Sequence, residues 1–169
     1  MNQSTQYWIK QLELSPHPEG GYFREIFRSS EQIPHPSLPD RYTGSRCLYT
    51  AIYFLLGSKD ISAFHKLKSD EIWHFYDGSP LDIYIISPET GNLTIHRLGK
   101  HLEKNETLQL CIPKEHWFAA ELVENGDYAL VGCTTAPGFE YEDFELGQER
   151  LLIKQYPEYA KLIKRLTKR

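Results

Sequence analysis

The sequence predicts an all-β fold, an antiparallel sandwich or barrel with a short helix near each end. About eight to ten apolar runs of strand length, such as residues 81–87 and 93–98, are separated by turn residues. Apolar and polar residues alternate along many of these runs with the two-residue period of a strand. Helical periodicity is confined to residues 5–14 and 157–168, so strands and helices do not alternate as they do in parallel sheets.

The N-terminal helix is followed by a turn rich in proline and glycine and then by a predicted strand at residues 22–28. Phe23 and Phe27 mark the packed face of this strand. Tyr22 and Arg24 lie on the opposite face, which faces either solvent or the mouth of a ligand pocket. We expect Arg24 to hold an anionic group of a ligand and Tyr22 to contact the same molecule.

Two tyrosines occur in the next strong apolar run, at residues 47–56, which follows a segment with three prolines at residues 29–46. The proline segment predicts an exposed loop. The run is apolar on both faces, which predicts burial on both sides, beneath helices or in an oligomer interface. Tyr49 and Tyr53 share a face of this strand and are candidates for catalytic acids, with ordinary aromatic packing as the alternative.

The most informative stretch is residues 64–81. It places His65 near the end of one apolar run and Glu71 at the start of the next, with the polar residues 66–70 between them. This pattern predicts a hairpin that brings an imidazole and a carboxylate side by side. Both faces are otherwise apolar, and a buried charge needs a partner, so the pair is a candidate site for a shared metal ion or proton.

Other runs complete the predicted fold. Residues 117–122 and 128–134 are predicted to pair as strands across a polar turn. Residues 136–148 interleave acidic and aromatic side chains, which predicts an acidic outer face over an aromatic seal. The C-terminal helix begins at a proline and has apolar residues on one side and basic residues on the other.

Composition excludes several classes of function. The chain has 169 residues, of which 40% are hydrophobic and 25% charged, and a net charge of −4. This charge gives no sign of a surface for nucleic acid, and no apolar run is long enough to span a membrane. The N-terminus lacks the pattern of a signal peptide, so we expect a cytoplasmic protein. The three cysteines, at positions 47, 111 and 133, are expected to be buried reduced thiols.

The stretch around His65 resembles the first motif of the cupin superfamily, in which two histidines, a glutamate and a glycine follow one another at fixed separations. His65, Glu71 and Gly78 match three of these positions, and Leu67 replaces the second histidine. The segment PKEHWF at residues 113–118 resembles the second motif, but phenylalanine occupies its histidine position. Two of the four usual metal ligands of the superfamily are therefore absent.

Further landmarks are similar to one cupin group, the domain of unknown function 985. They are HPEGGYFR at residues 17–24, AIYFLL from residue 51, SDEIWHFY from residue 69, WFAAEL from residue 117, and the block at residues 129–146. The resemblance implies a jelly-roll barrel, the double-stranded β-helix of cupins, in a single domain spanning residues 1–169 with its core at about 15–146. It also implies a homodimer, which suits the two-sided apolar strand.

The resemblance implies a small molecule bound inside the barrel, and three functions remain open. In the first, His65 and Glu71 bind a divalent transition metal with help from His74 or from His116. In the second, the protein is a metal-free enzyme similar to the epimerases that act on sugar nucleotides. Glu71 would then orient His65 as a base, a tyrosine would act as the acid, and the substrate would be anionic. In the third, the barrel binds a metabolite or has a structural role without catalysis.

The interior aromatic residues are the remaining candidates for contact with a ligand. Trp73 and Phe75 share the face of Glu71 on the predicted strand, and Phe118 lies in the second motif. If the barrel binds a ligand, these rings would line the pocket around His65.

Overall fold

The computed structural model describes residues 4–123 and 126–168. Its strands are β1 (Ser15–Pro16), β2 (Tyr22–Arg28), β3 (Gln32–Ile33), β4 (Arg46–Cys47), β5 (Thr50–Gly57), β6 (Ile61–Leu67), β7 (Asp70–Gly78), β8 (Leu81–Ile86), β9 (Leu93–Leu98), β10 (Gln109–Ile112), β11 (Trp117–Leu122), β12 (Tyr128–Ala136) and β13 (Phe144–Leu146). Its α-helices are α1 (Thr5–Gln11), α2 (Glu149–Gln155) and α3 (Ala160–Arg165). None of the helices described is long and apolar enough to cross a membrane.

Two antiparallel sheets form the sandwich. One has six strands in the order β1-β2-β5-β12-β7-β10, and the other has five in the order β13-β6-β11-β8-β9. Large side chains from both sheets, including Phe54, Trp73 and Phe118, are almost fully buried and belong to one core cluster. The predicted all-β fold is confirmed.

Alternation along the strands decides which side chains reach the interior. On β7, Glu71, Trp73 and Phe75 are buried, whereas Ile72 and Tyr76 on the opposite face are exposed. A period of two residues predicts this separation. The strands β8 and β9 pair along their whole length, as the turn between their apolar runs predicts.

Two predicted hairpins are wrong. The strands β6 and β7 do not pair with each other, because β6 pairs with β11 and β13 whereas β7 pairs with β10 and β12. The strands β11 and β12 also lie in different sheets. Their connection includes residues 124–125, which lie outside the described residues. Neighbouring strands often pair, but a jelly roll repeatedly sends the chain from one sheet to the other.

An irregularity in β2 changes the face that its second half presents. The pairing of β2 with β5 shifts register between Glu25 and Phe27. Phe23 and Glu25, before the shift, line the interior of the sandwich, and so does Arg28 after it, whereas Phe27 is 46% exposed. The prediction that both phenylalanines mark the packed face is therefore wrong for Phe27. An inserted residue in a bulge reverses the alternation beyond it.

The segment predicted as an exposed loop, residues 29–46, is partly anchored in the core. Tyr42 and Arg46 are each 1% exposed. The guanidinium of Arg46 donates two hydrogen bonds to the carboxylate of Asp143, at 2.6 and 2.7 Å. A paired charge can be buried where a lone charge cannot, and pairing with a distant residue has no local sequence signal.

Helices cover parts of the outer faces of both sheets. Residues of α1 pack with Leu55 and Tyr128 against the six-stranded sheet, which buries one end of β5 on both sides as predicted. The predicted C-terminal helix at residues 157–168 consists of a short 3₁₀ turn followed by α3. The helix α2 was not predicted, and Leu152 of α2 packs with Ile163 of α3 against the five-stranded sheet.

Candidate functional site

A cavity of about 130 Å³ lies between the two sheets and opens to solvent at one end of the sandwich. Aromatic side chains form much of its wall, including Phe23, Phe54, Trp73, Phe139 and Phe144. Polar side chains reach into it from both sheets and from the turn before β2. The cavity has the mainly apolar lining with a few convergent polar groups that is typical of ligand sites.

His65 faces this cavity and is 2% exposed. Its Nδ1 lies 2.8 Å from the carbonyl oxygen of Ala63, and its Nε2 lies 3.1 Å from Oε2 of Glu19. A carbonyl oxygen only accepts hydrogen bonds, so Nδ1 carries a hydrogen. In the neutral ring Nε2 is then the basic nitrogen, and it faces Oε2 of Glu19. Glu19 and His65 form a buried dyad in which the carboxylate would stabilise a proton taken up at Nε2.

The turn before β2 places Glu19 in the dyad. Gly20 has φ of 120° and Gly21 has φ of 62°, values that L side chains rarely adopt. The backbone of Glu19 accepts a hydrogen bond from the amide of Ala63 at 2.9 Å. A Cβ atom on Gly20 would overlap the carbonyl oxygen of Ile61. The two glycines thus let the turn pack directly on β6, beside the histidine.

Several groups around Glu19 stabilise its carboxylate. Ser62 donates a hydrogen bond to Oε1 at 2.7 Å, and Nδ1 of His17 lies 3.4 Å from Oε2. Burial acts to raise the pKa of Glu19, but the charge of His65 and the contacts with His17 and Ser62 together lower it below its ordinary value. Burial lowers the pKa of the His65 imidazole, with the charge of Glu19 acting in the opposite direction. An imidazole in this position releases a proton readily.

Glu71 lies in the opposite sheet and lines the same cavity. Its Oε2 accepts a hydrogen bond from Nε1 of Trp73 at 2.9 Å. Burial, reinforced by the negative charge of Glu19, raises the pKa of Glu71 to about 8. Glu71 is therefore mostly protonated at neutral pH. The prediction that Glu71 orients His65 is wrong, because Glu19 occupies the position next to the imidazole.

Arg28 lies at the mouth of the cavity. Its guanidinium is 2.9 Å from Oε2 of Glu25 and 2.6 Å from Oε1 of Glu140, and it also donates to the carbonyl oxygen of Phe139 at 3.0 Å. The three groups come from β2 and from the segment after β12. This ion pair ties that segment to β2 across the entrance.

Cys133 lines the cavity beside Glu71, but its thiol has low reactivity. Burial and the charges of Glu71 and Glu19 raise the pKa of its thiol well above the ordinary value. A thiol that stays protonated is a poor nucleophile. Cys47 is also buried and reduced, whereas Cys111 is exposed, contrary to the prediction for that residue.

Five of the predicted site residues lie away from the cavity: Tyr22, Arg24, Tyr49, Tyr53 and His74. Arg24 pairs with Glu13 at 2.9 Å on the outer face of β2, so it does not hold a ligand in the barrel. Tyr49 stacks on Phe27 outside the sandwich. The alternation of β5 directs Ile52 and Phe54 inward and hence Tyr53 outward, where its ring meets Tyr76. None of these tyrosines can act as the acid inside the barrel.

The predicted aromatic residues lie in the interior at different depths. Trp73 lines the cavity and binds Glu71. The ring of Phe118 packs on the imidazole of His65 with centroids 4.0 Å apart. Phe75 is buried in the core cluster. Phe118 and Phe75 thus support the walls, with Phe118 fixing the plane of the histidine from behind.

The donor set expected for a metal cupin is not assembled. His74 faces Thr134 on the outer side of the six-stranded sheet, and His116 bonds to the carbonyl of Lys114. Nε2 of His65 is engaged by Glu19. Within residues 4–123 and 126–168, no group of three His, Cys, Asp or Glu side chains is placed to hold a metal ion. The residues present therefore do not fit a resident metal, which needs at least three protein ligands.

Among the cavity residues that reasoning from the sequence missed are His17, Glu19, Arg28 and Cys133. A signal existed for the first two, because in the HPEGG motif a histidine and a glutamate flank the proline and directly precede the two glycines. Arg28 had no such signal, since regular alternation places it with Arg24 on the outer face and only the bulge brings it inward.

Comparisons with solved structures find close neighbours over nearly the whole chain. Protein SO0799 from Shewanella oneidensis has a TM-score of 0.87 and 39% identity, covering 98% of both chains. A hypothetical protein from Leishmania major has a TM-score of 0.88 and 32% identity, covering 98% of this chain and 99% of that one. Oxalate decarboxylase from Bacillus subtilis matches at a TM-score of 0.53 and 17% identity, over 89% of this chain and 36% of its own. This last likeness concerns the fold alone.

Sequence comparisons agree with the structural ones. The uncharacterized protein YML079W of Saccharomyces cerevisiae is 28% identical over 168 residues, which cover 93% of this chain and 83% of the yeast protein. The model of the family described as Cupin superfamily (DUF985) matches residues 6–147. This match spans most of the chain and agrees with the β-sandwich fold, so the chain belongs to the DUF985 family of the cupin superfamily.

Proposed function

We propose that the barrel binds a small organic molecule and transfers protons to and from it by metal-free acid–base catalysis, as an isomerase or epimerase does. The observation that carries the proposal is the pairing of two different proton carriers on one cavity. The Glu19–His65 dyad lies on one side, and the protonated carboxyl group of Glu71 lies on the other. Two titratable groups in environments that separate their roles are the pattern of an acid and a base.

Each residue has a defined role in this proposal. His65 accepts a proton from a carbon atom of the ligand at Nε2, and Glu19 stabilises the imidazolium that forms. Glu71 donates a hydrogen bond or a proton to an oxygen atom of the ligand on which negative charge develops. The aromatic walls exclude water and hold the molecule between the two groups. Trp73 and Phe118 are positioning residues for Glu71 and His65.

The comparisons support the family and leave the reaction to experiment. The relatives at 28–39% identity carry no activity in their names. The decarboxylase shares only its fold with this chain at 17% identity, so its reaction is not transferred. A carrier of metabolites with the same cavity is the second candidate, because the cavity by itself accounts for binding.

The experiment begins with a panel of small carbonyl metabolites screened by the shift in melting temperature. Molecules that bind are then incubated with the protein in D₂O, and deuterium incorporation at carbon is followed by NMR. We expect exchange with the wild-type protein and a loss of at least about 100-fold in His65→Ala and in Glu71→Gln. His96→Ala, which changes a histidine on the outer strand β9, is the matched control and keeps the wild-type rate.

The outcomes separate the two functions. Binding without exchange in the wild-type protein identifies a carrier and contradicts the catalytic proposal. Exchange that survives in His65→Ala places the chemistry elsewhere in the molecule.

Removal of metal provides an independent prediction. Because the donor set around His65 does not fit a resident metal, dialysis against EDTA leaves the exchange rate unchanged. The rate is measured before dialysis, after it, and after addition of Mn²⁺, Fe²⁺ or Zn²⁺. A loss on dialysis that one of these ions reverses contradicts the metal-free mechanism.

A further inference from the structure

We infer that the cavity selects an uncharged ligand, an aromatic-sized molecule with a hydrogen-bond acceptor directed at Glu71, and discriminates against its carboxylate analogue. The inference rests on the proposed function only in that the barrel binds a small molecule. It replaces the expectation of an anionic substrate, which depended on Arg24.

The cation at the entrance is already neutralised. Arg28 is the arginine that lines the cavity, and its guanidinium contacts the carboxylates of Glu25 and Glu140 as well as the carbonyl oxygen of Phe139. Two carboxylates against one guanidinium give this entrance a net negative charge. An anion that passes it meets repulsion rather than a free arginine.

Deeper in the cavity, both ring nitrogens of His65 already have partners. His65 uses Nδ1 for Ala63 and faces Glu19 with Nε2. Because the pKa values of both Glu19 and His65 are lowered, the carboxylate is ionised beside a neutral imidazole, and the dyad carries a net negative charge at pH 7. His17 is directed at the same carboxylate and packs edge-on against Phe23, with ring centroids 4.7 Å apart. A carboxylate on the ligand would compete with Glu19 for these histidines. Burying that charge without a free partner is costly.

Glu71 is a polar group of the inner cavity wall that is available to the ligand. Trp73 occupies its Oε2, and among the residues that the structure describes Oε1 has no hydrogen-bond partner. A protonated carboxyl group can donate to a carbonyl or hydroxyl oxygen of the ligand. It cannot pair favourably with a second carboxylate unless the two share a proton.

The size and lining of the cavity complete the description of the ligand. A cavity of about 130 Å³ with walls of phenylalanine and tryptophan is close in size to the roughly 150 Å³ apolar cavities that take up benzene. A planar ring or a comparably compact molecule therefore fits. Face and edge contacts with the surrounding rings would contribute to its binding.

Benzamide and benzoate test the inference because they have the same shape and differ in charge. Calorimetric titration of the full chain at pH 7 should give a dissociation constant for benzamide at least about tenfold lower than that for benzoate. The double variant Glu25→Gln with Glu140→Gln frees Arg28 and should reduce this ratio at least about threefold. Glu145→Gln removes an exposed carboxylate that pairs with Lys66 and leaves the ratio unchanged.

Each contrary result is decisive. Benzoate that binds as tightly as benzamide overturns the selection for uncharged ligands, and so does a failure of benzamide to bind. Either result leaves the proposed function standing, because that function is tested separately by deuterium exchange in the metabolites that bind. A ratio that is unchanged in the double variant removes the entrance from the explanation and overturns the role assigned to Arg28.

Discussion

Glu71 keeps its proton at neutral pH because it lies in an apolar wall near the negative charge of Glu19. Other titratable groups line the same cavity, among them His17, His65 and Cys133. Their arrangement leaves one acid protonated and holds a second acid as the partner of an imidazole. Glu71 and Glu19 have the same side chain, and their different surroundings therefore give them different roles.

This position predicts a pH dependence of stability. The ordinary pKa of Glu71 is 4.5 and its pKa in the folded chain is about 8. Below the ordinary value both states are protonated, and above it the unfolded chain ionises first. The free energy of unfolding is therefore reduced by Glu71 as pH rises from about 4.5 to 8, by a few kcal/mol in order of magnitude.

Glu71→Gln removes that loss and keeps an oxygen that can accept the hydrogen bond from Trp73. Urea unfolding between pH 5 and 9 should show the variant gaining stability relative to wild type as pH rises. Glu158→Gln, at an exposed position, is the control and follows the wild-type curve. A difference between Glu71→Gln and wild type that does not vary with pH would contradict the burial of a protonated acid.

The sequence singles out His65 and Glu71 correctly as interior polar residues but pairs them with each other. Glu19 is separated from His65 by 46 positions in the chain, and nothing in a strand pattern indicates that a turn so far away packs on β6. Local patterns predict which way a side chain points. They do not identify the neighbour that it meets across the interior.

At the scale of elements, the turn before β2 places Glu19 beside His65 and so forms the dyad. Gly20 has a positive φ and lies against the backbone of β6, which leaves no room for a side chain. Gly91 also has a positive φ, in the turn between β8 and β9, but the nearest atoms to its missing Cβ lie 3.9 Å away. A substitution at Gly91 therefore costs only the strain of a positive φ, whereas one at Gly20 costs this strain and a steric clash with β6.

Gly20→Ala is expected to destabilise the chain by more than about 3 kcal/mol, because the methyl group must displace the turn from β6 as well as strain the backbone. Gly91→Ala bears only the conformational cost, about 1 kcal/mol. Chemical denaturation of both variants measures the difference. Equal losses would show that the turn does not pack tightly on β6, and the placement of Glu19 would lose its support.

Alternation predicts most of the elements and the faces of β7 and β8, because a half-buried strand leaves its pattern in the sequence. It does not predict which strands pair in a jelly roll, since the same pattern suits either sheet. The bulge in β2 is likewise invisible. It reverses the faces of Phe27 and Arg28 and so decides which arginine reaches the entrance.

At the scale of the whole molecule, the outer face of the six-stranded sheet is unusually apolar. Ile26, Ile72 and Tyr76 are 47%, 39% and 51% exposed on it. The outward residues between them on β12 and β7, such as Thr134 and His74, carry no fixed charge. We propose that a second copy of the chain covers this face, since an uncharged patch can pair with itself in a two-fold dimer without repulsion between like charges.

Light scattering coupled to size-exclusion chromatography should give a mass about twice the 19.7 kDa of the chain. The variant with Ile72→Lys and Tyr76→Lys introduces like charges that face each other in the dimer, and we expect it to be a monomer. Ile95→Lys changes a side chain that is 58% exposed on the other sheet and should leave the dimer intact. A wild-type mass equal to that of one chain would contradict the proposed dimer.

The partner of His65 is Glu19 and not Glu71, and the proposed chemistry of the cavity depends most directly on this pairing. Nitrogen-15 NMR of the histidine rings measures this in the wild-type protein and in the isosteric variants Glu19→Gln and Glu71→Gln. We expect Glu19→Gln to cause a large change in the Nε2 resonance of His65 and in its dependence on pH, and Glu71→Gln to leave the resonance near its wild-type position. A large change in Glu71→Gln together with none in Glu19→Gln would contradict the dyad and the function built on it.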